Sequence, residues 1–279
     1  MDALFRHKDL AYFSNLVERK PNWSFLNNLR SIHDNKLFRV HKQRNTTALS
    51  QILNPFINKP VEGYKIWDHI LPEKVSFLKD YLHDIKLNKN EKRKVYAYLE
   101  NIVSKQNRSR MALKITGPGR LHFLSDLFPN AKFIWLKRSF MPTLNSFLNV
   151  DFWKDAEHEK LWWSSDKIQE SFERVPEIKD DIVLLTAFQL YHIISDIEES
   201  IKTLKLNVLQ VEYESFTENP ENVMNEAFKF CELIYDKDCI SFFNNANLEN
   251  RNKSNGDYFD SRTLNRINSL REKLNYHTI

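Results

Sequence analysis

The chain has few of the features that mark a secreted or membrane-embedded protein. Only two cysteines occur among its 279 residues, Cys231 and Cys239, and their spacing fits neither a disulfide framework nor a metal site. No run of about 18 apolar residues is present, so the sequence predicts no membrane-spanning helix. The first residues are charged and lack the apolar stretch of a signal peptide. These absences predict a cytoplasmic location in a reducing compartment.

The chain also has few glycines and a small net charge. The chain has four glycines, and none precedes a serine or threonine near the start, so a glycine-rich loop that could cradle phosphate groups is absent there. Lysine and arginine number 41 against 37 acidic residues, which leaves a net charge of +4. This charge is too dispersed to predict nucleic-acid binding, but it suits a small anionic partner. The 42% hydrophobic content excludes disorder as the overall state.

The most informative segment runs from Phe128 to Phe147. Within it, Ala131 to Leu136 are apolar or aromatic at nearly every position, which is long enough for one central strand and too short for a typical helix. Arg138 then lies at the carboxyl end of that strand. Ser139 can cap the next helix. Ser146 lies two helical turns later, on a face of that helix that can be directed toward Arg138. This layout is that of a phosphate clamp, with an ordinary surface ion pair of Arg138 as the alternative.

The segment resembles the 3′-phosphate-binding motif of sulfotransferases, which use 3′-phosphoadenosine 5′-phosphosulfate (PAPS). In that family an arginine ends the strand and a serine follows eight positions later. Here the matching residues are Phe128, Pro129, Asn130, Arg138 and Ser146. The resemblance implies a P-loop-NTPase-like α/β fold, with a parallel sheet flanked by helices in a single domain over residues 1–279. It also implies PAPS as cosubstrate, no metal, and sulfuryl transfer to a hydroxyl or amine acceptor.

Two later blocks extend the resemblance. The segment Leu206 to Leu233 follows the family order of a strand, a Tyr-Glu turn and a helix. Tyr213 stands where the family places a tyrosine against the adenine, with a core aromatic residue as the alternative. The polar loop from Asn247 to Phe259 stands where the family closes a loop over the nucleotide. By that match, Arg251 and Lys253 are candidates to add charge at the 3′-phosphate.

Two further residues are candidates for the chemistry itself. Lys114 lies at the end of a short apolar strand, and ligands of α/β sheets bind beyond such strand ends, so it is a candidate to stabilise the transferring sulfuryl group. A lysine whose stem packs at a strand end is the alternative. Glu18 follows the first helix, where related enzymes carry a glutamate base, and is the candidate general base. His41, His69 and His122 remain alternatives for that role.

One part of the family pattern has no counterpart in this sequence. Sulfotransferases begin with a strand and a loop of Gly or Pro, Arg, Ser, Gly and Thr, whose N–H groups hold the 5′-phosphosulfate. The residues after Met1 instead resemble the back half of the family's first helix and its second strand. We therefore expect the first strand and the phosphate loop to be missing. The open alternatives are an N-terminally truncated, inactive family member and an α/β interaction protein without nucleotide chemistry.

Periodicity completes the expected architecture. It predicts strands over Met111 to Ile115 and Asn207 to Val211, and helices over Trp23 to Ile32, Thr46 to Ile57, Lys74 to His83, Glu91 to Ser104 and Asp180 to Leu204. Aromatic residues concentrate in the regions that form the acceptor pocket in the family: Tyr64, Trp67, Phe152, Trp153, Trp162 and Trp163. Packing in the core is the favoured interpretation for most of them.

Overall fold

The structure is a computed structural model, and it describes residues 3–30, 59–154, 161–244, 250–252 and 254–275. The chain divides into two compact units, each assembled from separate stretches of sequence. Unit 1 comprises residues 1–77, 85–116 and 219–248, and unit 2 comprises residues 78–84, 117–218 and 249–279. The organisation as a single domain stays a prediction. The expected helix over Thr46 to Ile57 lies outside the described residues.

Unit 1 contains a pair of short parallel strands and the helices around them. Strand β1 (Leu10–Ala11) pairs with β2 (Arg110–Met111), Leu10 lying opposite Arg110. The helices of unit 1 are α1 (Asn15–Arg19), α2 (Tyr64–Ile70), α3 (Lys89–Lys105), α10 (Pro220–Phe230) and α11 (Lys237–Asn244), with 3₁₀ turns at Leu4–Arg6 and Ser24–Leu29. The predicted strand over Met111 to Ile115 is thus shorter than expected, and the predicted helix over Trp23 to Ile32 contains a 3₁₀ turn.

The core of unit 1 includes an aromatic stack. Trp67 on α2 packs face to face on Phe77, with ring centroids 4.3 Å apart, and meets the edge of Phe13 at 5.8 Å. All three side chains are buried. Each buries a large apolar area, and the offset and edge-on contacts add to that contribution.

The helix predicted over Lys74 to His83 is wrong. These residues form turns instead. Leu82 has a φ of 60°, a left-handed conformation that the interior of a right-handed helix does not admit. Val75 and Phe77 are both buried although they are two residues apart, which also breaks the helical period. The neighbouring prediction over Glu91 to Ser104 is confirmed by α3, whose first turn is closed by a capping box between Asn88 and Glu91.

Unit 2 contains the longer parallel pair. Strand β3 (Phe133–Lys137) pairs with β4 (Val208–Glu212) residue for residue, from Phe133 opposite Val208 to Lys137 opposite Glu212. The helices of unit 2 are α4 (Leu121–Leu127), α5 (Phe140–Leu148), α6 (Asp151–Lys154), α7 (Asp166–Glu173), α8 (Ile182–Thr203), α9 (Tyr213–Glu218), α12 (Asn255–Tyr258) and α13 (Ser261–Lys273), with a 3₁₀ turn at Pro176–Ile178.

The long helix α8 organises the core of unit 2. Its first turn is capped by the Asp181 carboxylate, and its apolar face meets α5, where Phe140 stacks on Tyr191 at 4.2 Å. Trp153 and Trp163 are buried in the same core. The indole N–H of Trp153 donates to Thr186 Oγ1 at 2.8 Å, so its polar atom is satisfied. The mixed α/β architecture with parallel strands agrees with the predicted fold class.

Candidate functional site

The first cluster of candidate residues forms where β3 and β4 end in unit 2. Because the strands are parallel and fully paired, their carboxyl ends lie side by side, and the residues that follow them are neighbours. Arg138 follows β3 and Tyr213 follows β4. The guanidinium carbon of Arg138 lies 4.6 Å from the centroid of the Tyr213 ring, a cation–π contact. The structure thus brings together two residues that the sequence placed in separate blocks.

A loop residue completes this arrangement from a distant part of the chain. Arg138 Nε donates to Oδ1 of Asn252 at 2.9 Å, and Nδ2 of Asn252 donates to Oε1 of Glu214. The same oxygen of Glu214 accepts a hydrogen bond from Ser139 Oγ at 3.0 Å. Asn252 therefore lies between the guanidinium and the carboxylate, with each end of its amide facing a group of suitable polarity. Sequence reasoning did not single out Asn252, Glu214 or the side-chain bond of Ser139.

The surroundings of the Glu214 carboxyl favour its ionised form. Partial burial raises its pKa, but the hydrogen bonds from its own backbone, Ser139 and Asn252 outweigh that effect, so the pKa lies below its ordinary value. The cluster consequently contains a carboxylate anion alongside the arginine cation. The two do not form a direct ion pair within the described part of the chain.

Part of the Arg138 guanidinium has no partner within the described ranges. The Arg138 side chain is half-buried, its Nε bonds to Asn252, and its guanidinium carbon lies over the ring of Tyr213. Among the described residues, the two terminal nitrogens have no hydrogen-bond or ion-pair partner. A planar guanidinium with two parallel donors matches the oxygens of a phosphate. The role of Arg138 as a phosphate ligand stays a prediction, with which this geometry is compatible.

The other residues expected at the phosphate are placed as follows. Ser146 is exposed in α5, two turns after the start of the helix. Arg251 is exposed, and its backbone N–H donates to the Tyr213 hydroxyl at 3.4 Å, which ties its loop to β4. Its carbonyl accepts from the Tyr258 hydroxyl at 3.2 Å. Lys253 lies outside the described residues. The roles of these residues toward a phosphate stay predictions.

A second cluster of candidate residues lies in unit 1 and is centred on Lys114. Lys114 Nζ forms an ion pair with Glu62 Oε1 at 2.7 Å, and about a quarter of each side chain is exposed. Two residues further along both segments, the hydroxyls of Tyr64 and Thr116 are 2.7 Å apart. The two segments are therefore joined at two points, which fixes the position of Lys114 relative to α2.

Glu18 belongs to the same part of unit 1. Its Oε1 accepts the backbone N–H of Lys65 at 3.4 Å in the first turn of α2. Burial raises the pKa of this carboxyl, the hydrogen bond from Lys65 opposes the change, and the nearby charge of Glu62 raises the pKa further. A carboxyl whose pKa lies above its ordinary value is better matched to proton transfer near neutral pH than an ordinary glutamate. Glu62 thus links Glu18 with Lys114, and nothing in the sequence had indicated it.

One histidine forms a hydrogen-bonded pair with an aspartate that the sequence had not indicated. In unit 2, His83 Nε2 lies 2.5 Å from Asp196 Oδ1, and this bond raises the pKa of His83 against the opposing effect of burial. His122 meets the His83 ring edge-on at 5.5 Å. In unit 1, the ring of His69 packs near Tyr98 at 6.0 Å. His41 lies outside the described residues.

Neither a metal centre nor a membrane span is found in the part of the chain that the structure describes. Within those ranges, no three His, Cys, Asp or Glu side chains are grouped so that they could hold a metal ion. No described helix has the length and apolar character needed to cross a bilayer.

Comparisons with known proteins bear on the family and the fold of the chain. A model of the sulfotransferase family matches residues 73–237, which is more than half of the chain. Among solved structures, the chain is similar to the sulfotransferase STF9 from Mycobacterium avium, with 14% sequence identity, a TM-score of 0.54, and coverage of 98% of this chain and 71% of that chain. At that identity the likeness shows the fold alone, and it confirms the predicted fold class. No curated protein matches the chain.

Proposed function

The chain belongs to the sulfotransferase family, and from this premise we propose that it transfers a sulfuryl group from PAPS to a hydroxyl or amine acceptor. The observation that carries the proposal is the half-buried Arg138, which follows a parallel strand, lies over Tyr213 and presents two donors without partners among the described residues. Terminal guanidinium donors of this kind suit an anionic ligand such as a phosphate. The alternatives are an inactive family member and an interaction protein.

In this proposal the residues around Arg138 bind the nucleotide. Arg138 donates its two terminal N–H groups to the 3′-phosphate, and Ser146 adds a neutral donor. Arg251 and Lys253 contribute positive charge from the loop. Arg138 covers one face of the Tyr213 ring, so an adenine that packs on this tyrosine uses its other face or its edge.

Glu18 and Lys114 are the residues proposed for the chemistry. Glu18 accepts the proton of the acceptor hydroxyl or amine while the acceptor atom bonds to sulfur. The bond between sulfur and the bridging phosphate oxygen breaks, and adenosine 3′,5′-bisphosphate leaves with that electron pair. Lys114 offsets the negative charge on the sulfuryl oxygens, and its ion pair with Glu62 keeps the ammonium in place. Positioning and electrostatics dominate such a transfer, as they do in phosphoryl transfer.

Ligand binding tests the nucleotide half of the proposal. The wild-type protein and Arg138→Ala are titrated by calorimetry with adenosine 3′,5′-bisphosphate and with adenosine 5′-phosphate. Loss of a charge-assisted contact weakens binding by about 1.5 to 3 kcal/mol, so we expect the variant to bind the bisphosphate roughly tenfold or more weakly. Its affinity for adenosine 5′-phosphate should change little.

A matched control separates a binding effect from a general loss of positive charge. Arg174 is exposed in unit 2 and pairs with Glu170 at 3.6 Å on the surface. The variant Arg174→Ala should bind both ligands as the wild type does. Wild-type protein that shows no preference for the 3′-phosphorylated ligand would contradict the proposal. Transfer of labelled sulfate from PAPS to a panel of hydroxyl and amine compounds then tests the activity itself.

A further inference from the structure

We propose that Asn252 is a positioning residue: together with Glu214 it sets the orientation of the Arg138 guanidinium and keeps its charge available for the 3′-phosphate. This inference rests on the proposed function, because it takes Arg138 as the phosphate ligand. It adds two residues, Asn252 and Glu214, that neither the motif nor the family pattern had indicated for this role.

Two contacts are enough to fix a planar guanidinium. The ring of Tyr213, 4.6 Å from the guanidinium carbon, limits movement of the guanidinium toward that side. The bond of 2.9 Å from Nε to Asn252 Oδ1 limits rotation within the plane. With both in place, the two terminal nitrogens point in one defined direction, which is what bidentate recognition of a phosphate requires.

The polarity of the Asn252 side chain suits its position between opposite charges. Its oxygen accepts from Arg138, while its nitrogen donates to the Glu214 carboxylate, which also accepts from Ser139. An amide can do both at once, whereas a carboxylate or an aliphatic side chain cannot. Because Asn252 lies between them, Glu214 and Arg138 do not pair directly within the described chain.

The same bonds couple the loop to the strand ends. Asn252 follows Arg251, whose backbone N–H donates to the Tyr213 hydroxyl. The backbone N–H of Asn252 itself donates to Asn250 Oδ1 at 3.0 Å. The loop over residues 250–252 is therefore attached to the residues that follow both β3 and β4. Loss of the Asn252 bridge would release the loop and allow Glu214 to compete with phosphate for Arg138.

A pair of exchanges tests this arrangement. The variant Asn252→Asp keeps the acceptor for Arg138 but sets a second carboxylate against that of Glu214. We expect its preference for adenosine 3′,5′-bisphosphate over adenosine 5′-phosphate to fall about tenfold, the size of a lost charge-assisted contact. In the double variant Asn252→Asp with Glu214→Gln, the amide and the carboxylate have changed places. The hydrogen bond is restored with reversed polarity and the second carboxylate is gone, but the remaining carboxylate now contacts Arg138 directly, so the preference should recover only in part, by about threefold over Asn252→Asp.

Controls make the outcome unambiguous. Asn265→Asp makes the same change of charge at an exposed position of α13 and should leave the preference unchanged. Circular dichroism melts verify that each variant is folded. The inference is overturned if Asn252→Asp binds like the wild type, or if the double variant is no better than Asn252→Asp. A wild type without any preference for the 3′-phosphate would overturn the proposed function as well.

Discussion

Replacing Gly63 by alanine should destabilise unit 1 and disturb the Lys114 cluster. Gly63 has a φ of 77° and a ψ of 32°, and it immediately precedes α2, in which the N–H groups of Ile66 and Trp67 bond to its carbonyl. A Cβ atom at this position would lie 2.2 Å from Cδ2 of Phe13, which is far inside van der Waals contact. Phe13 is buried and packs edge-on against Trp67, so its ring has little room to retreat.

Two costs add in this variant. An alanine in the left-handed region costs about 1 to 2 kcal/mol. Forcing an extra carbon into a packed core costs about 1 to 3 kcal/mol more. We therefore expect a loss of about 2 to 5 kcal/mol in the free energy of unfolding, a large share of the stability of a typical domain. The start of α2 also donates to Glu18 through Lys65, so the surroundings of that carboxyl should loosen too.

Urea unfolding followed by tryptophan fluorescence measures this effect, since Trp67 touches the affected ring. With an m-value of about 3 kcal/mol per M, the midpoint should fall by roughly 1 M. Gly256→Ala is the matched control, because Gly256 lies in α12 and a Cβ added there meets nothing within 4 Å. That control should be neutral or gain up to about 1 kcal/mol from helix propensity. A loss below about 1 kcal/mol for Gly63→Ala would refute the steric argument.

The titratable groups give two further predictions. Burial and the charge of Glu62 raise the pKa of Glu18, while the hydrogen bond from Lys65 opposes this change. The stability that Glu18 contributes is therefore greatest below pH 4.5 and is lost as the pH rises through the pKa of the folded state. Glu18→Gln should therefore gain stability relative to wild type between about pH 4 and pH 8 in urea titrations; parallel pH profiles would count against it. Asp196 raises the pKa of His83 through their hydrogen bond. The stability that the pair adds is therefore present below pH 6.5 and is lost as the pH rises through the raised pKa of His83. Asp196→Asn should lower the pKa of His83 in an NMR titration and cost more stability at about pH 6 than at about pH 9; an unchanged titration would exclude the pairing.

The sequence predicted the local elements that carry the clamp. The run from Ala131 to Leu136, apolar at nearly every position, was sufficient to predict β3, although the structure shows this strand only partly buried, with Leu136 exposed. Alternation likewise predicted β4, and the long apolar face between polar caps predicted α8. Each of these signals is contained within the segment that forms the element.

The local sequence pattern predicted the wrong secondary structure where tertiary packing determines the backbone conformation. Residues 74–83 have apolar side chains at spacings that suit a helix, yet they form turns. Phe77 is buried by its stack on Trp67, and Leu82 takes a left-handed conformation. The free energy gained by burying these side chains in an irregular backbone conformation exceeds the small free energy by which helix propensity favours a helix.

The sequence by itself determined that an arginine would follow one strand and that a tyrosine would follow another. Only the tertiary structure decided that the strands pair in register and set Arg138 on Tyr213. It also decided that Asn252, 114 residues from Arg138 along the chain, would join the guanidinium to Glu214. Side-chain hydrogen bonds reach about 3 Å, so a contact between such distant positions depends on the packing of every element between them, which no local pattern in the sequence records.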